Sequence, residues 1–78
     1  MDLNEIEKIL RENLNDCELQ LTAEGNKLSL QLVTDDFAGL NRVKRQQKVY
    51  GLLDDRIKSG EIHAVSMTTL TRDEHTAS

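Results

Sequence analysis

The chain has no proline and no tryptophan, and only one cysteine, one phenylalanine and one tyrosine among its 78 residues. Each scarcity removes an option. With Cys17 alone, no internal disulfide can form, so the fold must hold without one, and a reducing, cytoplasmic setting is the expectation. Without proline, turns must be marked by glycine and by Asn or Asp. With two aromatic residues, the core must be mostly Leu, Ile and Val. No apolar run exceeds two or three residues, so no segment reads as a membrane span. The start of the chain is acidic and amphipathic, unlike the basic-then-apolar pattern of a signal peptide. The length suits a single domain, residues 1–78, with one modest core. A chain of this size has no room for a deep catalytic cavity, so a partner-docking domain is expected rather than an enzyme.

Charge is unevenly distributed. The formal net charge is -4, and Asp2, Glu5, Glu7, Glu12, Asp16, Glu18 and Glu24 make the first third acidic. Arg42, Lys44, Arg45 and Lys48 then place four positive charges within seven residues, with no acid among them. Such a cluster could meet an acidic partner or a nucleic-acid backbone, or simply be a solvated helix face.

Hydrophobic periodicity divides the chain. Asp2 and Glu5 have the spacing of a capping box, and Leu3, Ile6, Ile9, Leu10 and Leu14 form the stripe of a first helix ending near Asn15. From Cys17 the period becomes two. Leu19, Leu21 and Ala23, then Leu28, Leu30 and Leu32, predict a hairpin turning at Gly25-Asn26, with Gln20, Thr22, Ser29 and Gln31 outward. Residues 34–39 predict a short turn or a single helical turn, with Gly39 permitting a chain reversal before Asn41. Asn41 can cap a long helix whose stripe is Val43, Gln46, Val49, Tyr50, Leu53 and Ile57, ending at Ser59-Gly60, with the basic cluster mostly off the stripe. Phe37 and Tyr50 are expected to pack where the turn meets this helix. Alternation in residues 62–69 predicts a third strand, and Thr71 with Glu74 marks the cap of a short, loosely held last helix, with 76–78 disordered. The fold class is α+β, a three-stranded mixed sheet covered by helices on one side.

The run from Phe37 to Tyr50, containing Arg42-Val43-Lys44-x-Gln46-Gln47-x-Val49-Tyr50-Gly51, together with Ile62-His63-Ala64-Val65-Ser66, resembles the BolA-like family, nearest its acid-stress-associated IbaG/YrbA branch. The resemblance covers about residues 2–74 and implies the order α-β-β-α-α-β, related to class II KH domains. It implies a non-enzymatic partner of a monothiol glutaredoxin, sharing a [2Fe-2S] cluster with it and serving cluster traffic or iron sensing. The isolated chain is then expected to be a cofactor-free monomer, with a homodimer as the alternative. His63 falls on the family's cluster-ligand histidine, with the partner's cysteine and glutathione completing part of the set. Without that resemblance, His63 would read as a strand histidine with one satisfied hydrogen bond.

Two departures stand out. Relatives often carry a His or Cys in the loop joining the first strands, whereas residues 23–27 here read Ala-Glu-Gly-Asn-Lys. Glu24 and Cys17 are weaker substitutes, and Cys17 reads better as a buried structural thiol. The last helix lacks the Thr-Pro-x-x-Trp pattern of relatives, and His75 there reads as a solvated residue. The alternative function is a nucleic-acid-binding transcriptional regulator acting through helix 42–58, using Arg42, Lys44, Arg45 and Lys48, with Arg56 and Lys58 as further candidates. The chain has no Gly-x-x-Gly loop of the kind KH domains use to clamp a backbone.

Overall fold

The computed structural model describes residues 1–77, running α1 (Leu3–Asn13), β1 (Glu18–Glu24), β2 (Lys27–Val33), a 3-10 turn (Asp35–Phe37), α2 (Arg42–Leu52), α3 (Asp54–Lys58), β3 (Ala64–Leu70) and α4 (Arg72–Ala77). Asp2 starts α1 by accepting hydrogen bonds from the N–H groups of Asn4 and Glu5 at 3.0 and 3.2 Å. The helix buries Ile6 and Leu10 against the sheet, and Leu14 follows at its C-cap. Asp16, at φ 45°, redirects the chain into β1.

The sheet has the order β1-β2-β3, with β1 and β2 antiparallel and β2 and β3 parallel. It is therefore mixed, as expected. Glu24 pairs with Lys27 across a two-residue turn in which only Gly25 has positive φ, the pattern of a type II′ turn. Leu28, Leu30 and Leu32 enter the core, and the facing Leu19, Leu21, Val65 and Met67 pack against it. Gln20, Thr22, Ser29, Ser66 and Thr68 stay exposed on the other face, while α1 and α2 close the inner one.

The expected long helix is two pieces. At Leu53 the backbone leaves helical geometry (φ -104°, ψ 7°), and its N–H is shared between the carbonyls of Val49 and Tyr50. Asp54 and Asp55 then occupy the first turn of α3, where carboxylates suit a helix start. The stripe is also rotated from the expected one. Val43 and Tyr50 are 59% and 40% exposed, whereas Val49 and Leu53 are fully buried. Tyr50 thus does not join Phe37 in the core. Arg45 occupies the inner position one turn before Val49, which an apolar stripe leaves out by construction.

The 3-10 turn ties one end of the domain together. Thr34, fully buried, donates through its hydroxyl to the Asn15 carbonyl at 2.6 Å and accepts from the Asp36 N–H. Its own N–H extends the ladder to the Leu70 carbonyl. Asp36 accepts from the Asn15 N–H at 2.8 Å, and Asp35 accepts from the Arg72 N–H at 3.1 Å.

The Thr71–Glu74 capping box forms as expected, with Thr71 N–H donating to the Glu74 carboxylate and Glu74 N–H donating to the Thr71 hydroxyl. Thr76 and Ala77, expected to be disordered, form the last turn of α4, and Ser78 lies outside the described residues. The helix buries no side chain, yet it is held by polar bonds: Glu74 to Arg45, and Arg72 to the Asp16 carbonyl. The Arg45 guanidinium holds the Glu74 carboxyl at about 2, below its ordinary 4.5, with the Thr71 N–H as the second cause. A depressed carboxylate stabilises the folded state above its unfolded value and ceases to do so as pH falls through its folded value. Acidification from about pH 4.5 to 2 is therefore expected to release α4, read by NMR as loss of the Thr71 and Glu74 amide shifts alongside titration of the Glu74 carboxyl. Titration of Glu74 near 4.5 with α4 still docked would contradict the latch.

Candidate functional site

His63 sits one residue before β3, at the end of the sheet that carries the β1–β2 turn. Ile62, 1% exposed, anchors the chain in the core immediately before it. The His63 N–H donates to the Asn26 carbonyl at 2.8 Å, fixing its backbone to the turn. Its side chain is exposed. Nε2 lies 3.5 Å from the place a Cβ on Gly60 would occupy, so the ring rests beside the glycine that closes α3. Gly60 has φ +86°, a conformation that glycine adopts without strain. The result is an accessible imidazole on a backbone held from both sides.

The loop expected to matter is indeed next to His63, but its side chains are not assembled with the imidazole into a metal site. Glu24 and Lys27 pair with each other, and Lys27 pairs with Ala64, so strand alternation puts both on the open face with Thr22, Ser29 and Ser66. A shallow depression of about 340 Å³ lies there, lined by Glu24, Lys27, Ser29, Ala64 and Ser66 among others. Among the described residues no group of three or more His, Cys, Asp or Glu could hold a metal ion. His63 therefore belongs to no such group among the described residues.

Cys17 is not brought to His63. It precedes the first residue of β1, and the turn lies beyond the last, a separation of about 23 Å at 3.3 Å per strand residue. The thiol is 6% exposed and donates to the Glu18 carbonyl at 3.5 Å. Burial pushes its pKa up, against smaller opposing effects of the Val33 backbone and Arg11. A protonated, buried thiol fills the core and is a poor iron ligand. His75 is also at that distant end, lining a shallow hollow of about 200 Å³ with Glu18, Gln20, Gln31 and Val33.

The basic cluster is divided by the fold. Arg45 turns inward: its side chain is 12% exposed, donates to the carbonyls of Leu40 and Thr69 at 2.8 and 3.1 Å, and forms a two-bond pair with Glu74. It is a structural residue, withdrawn from the surface where the sequence pattern placed it. Arg56 is held by Glu5 and Glu61, and Lys58 by Asp54 at 2.8 Å. Arg42, Lys44 and Lys48 remain exposed, and no carboxylate pairs with them among the described residues. The sequence pattern missed the structural role of Arg45, although its spacing of four from Val49 and eight from Leu53 was a usable signal.

Comparison with known proteins adds the relationships. The family model described as BolA-like protein matches residues 6–74. The acid stress protein IbaG of Escherichia coli strain K12 is 38% identical over 74 residues, covering 95% of this chain and 88% of that protein. Among solved structures, the BolA domain of SufE1 from Arabidopsis thaliana superposes with a TM-score of 0.83 at 31% identity, over 91% of this chain and 92% of that one. BolA1 from the same plant gives a TM-score of 0.82 at 27% identity, with the same coverage. No helix among the described residues is long and apolar enough to cross a membrane.

Proposed function

Because the chain belongs to the BolA-like family, close to its IbaG/YrbA branch, we propose that it is a non-enzymatic partner of a monothiol glutaredoxin and supplies His63 to a shared [2Fe-2S] cluster. The partner's active-site cysteine and glutathione supply further ligands, and the complex serves cluster traffic or sensing in iron homeostasis and stress response. One observation carries this reading: the imidazole is exposed while its backbone is tied to the Asn26 carbonyl and anchored by buried Ile62. An exposed, pre-positioned nitrogen can ligate iron without refolding the domain, and histidine is an established ligand of [2Fe-2S] centres. On this reading His63 is one ligand of the cluster and the partner contributes the others. A plant protein named SufE1 contains a BolA domain of this fold, which supports a place among iron–sulfur proteins.

The test is co-reconstitution with a monothiol glutaredoxin, glutathione, ferrous iron and sulfide. The expected product is a heterodimer whose visible circular dichroism differs from that of the glutaredoxin homodimer. His63→Ala should change that spectrum while shifting stability by no more than about 0.5 kcal/mol, because the side chain is exposed. A spectrum indifferent to the substitution, with no heterodimer, sinks the proposal. The nucleic-acid alternative is left with Arg42, Lys44 and Lys48 on a domain of net charge -4, and no observation raises it to a second reading.

A further inference from the structure

The two edges of the sheet are not alike. β1 carries Glu18 and Glu24, charges of the sort that discourage pairing with another strand. β3 reads Ala-Val-Ser-Met-Thr-Thr-Leu over seven residues, with no charge, and it pairs with β2 in unbroken register from Lys27–Ala64 to Val33–Leu70. It therefore has no charged residue, proline or bulge to blunt its outer edge.

The direction of its backbone groups can be assigned. The Leu70 carbonyl accepts from Thr34 on the β2 side, and the Thr69 carbonyl accepts from Arg45 on the other. N–H and C=O groups of one strand residue point the same way, and successive residues alternate. Val65, Met67 and Thr69 thus face outward. Among the described residues only the Thr69 carbonyl is engaged on that edge, leaving the N–H and C=O of Val65 and Met67 open to a partner strand.

Beside this edge lies a groove of about 220 Å³, lined by Arg42 and Gln46 of α2 and by Met67, Thr68, Thr69 and Leu70. It contains no carboxylate. The nearby Glu74 is occupied by Arg45, while Arg42 is exposed and unpaired, with Lys44 and Lys48 on the same helix. We infer that the free edge of β3 is a strand-addition site for an extended segment of a partner protein carrying an acidic residue where it passes Arg42. Main-chain hydrogen bonds to Val65 and Met67 supply the attachment, and the Arg42 side selects acidic segments. A polyanionic nucleic acid suits the edge less well, because it offers no strand to pair with open amides. The inference stands apart from the cluster proposal, since it uses neither His63 nor iron.

The test is NMR titration of the protein with three capped peptides of alternating Val and Thr. One carries glutamates, one lysines at the same positions, and one the glutamates with backbone N-methyl groups on its pairing edge. The glutamate peptide should shift and protect the amides of Val65, Met67 and Thr69. The lysine peptide should bind about fivefold more weakly, as should the glutamate peptide to Arg42→Glu, the scale of an exposed ion pair. The N-methyl peptide should bind about tenfold more weakly or not at all, because its bonding edge is removed while the protein is unchanged. Equal binding of glutamate and N-methyl peptides would overturn strand addition, and equal binding of glutamate and lysine peptides would overturn the acidic preference. Dimerisation of the peptide-free protein through β3, seen by sedimentation and by loss of the Val65 and Met67 amide signals, would give the edge to a second copy. Absence of shifts with all three peptides would also refute it, as would displacement of the glutamate peptide by single-stranded DNA.

Discussion

Phe37→Ala is expected to destabilise the domain by about 3–5 kcal/mol, the usual cost of removing a buried phenylalanine ring. The ring is fully buried in the core cluster with Ile6, Leu10, Leu32, Val49 and Leu53. Its position is over-determined: the 3-10 turn that carries it is capped by Thr34, and Leu40 N–H donates to its carbonyl at 3.1 Å. Little backbone collapse into the cavity is therefore expected. A domain of this length has about 4–12 kcal/mol in total, so the variant should be partly unfolded at room temperature or melt about 12–40 °C lower. Urea denaturation followed by circular dichroism measures the difference. Tyr50→Ala is the contrast, because that ring is 40% exposed and should cost no more than about 1 kcal/mol. Equal losses from the two substitutions would contradict the rotated helix stripe.

The second large effect belongs to Arg45. Its guanidinium carbon lies 6.0 Å from the Phe37 ring centroid, and the group bonds to the Leu40 and Thr69 carbonyls and to Glu74. Arg45→Ala removes bonds from a charged donor to two backbone acceptors, for which about 2–3 kcal/mol is expected, and it frees α4 as well. Arg45→Lys should recover only part of this, because a single ammonium cannot span acceptors that the planar fork reaches together. Lys44→Ala and Lys48→Ala, which remove exposed cations, should be within about 0.5 kcal/mol of the parent. Hydrogen exchange separates the two parts of the effect. In Arg45→Ala the amides of residues 74–77 should lose protection, while those of β2 lose it only to the extent that global stability falls. Glu74→Gln should loosen α4 with little change in the core. Retained protection of α4 in both variants would show that the helix is held by something other than this pair.

Much of the fold was legible because local signals agreed with one another. Asp2, Asn41 and Thr71 with Glu74 all cap helices as their spacing predicts, and the Gly25 turn sets the hairpin register. Errors came where a side chain violated its usual preference. Arg45 faces inward because Glu74 and two carbonyls, all remote in sequence or beyond its own turn, satisfy its donors. Val43 and Tyr50 consequently lie outside the core, and the apolar pattern alone could not separate that arrangement from a stripe through them.

The candidate site divides in the same way. His63, its neighbour Ile62 and the absence of His or Cys from residues 23–27 are sequence facts, and so is the family resemblance they carry. That the turn reaches His63, through the Asn26 carbonyl, depends on β3 pairing parallel to β2. That Cys17 is removed from it depends on the length of β1, and the open edge of β3 depends on the order of strands. Sequence by itself determined most of the elements, their caps and the place of His63 just before the last strand, because these rest on contacts between near neighbours along the chain. Only the tertiary structure decided which cations remain free, which cysteine and histidine can meet, and which strand is left unpaired, because those outcomes come from contacts between segments that are tens of residues apart.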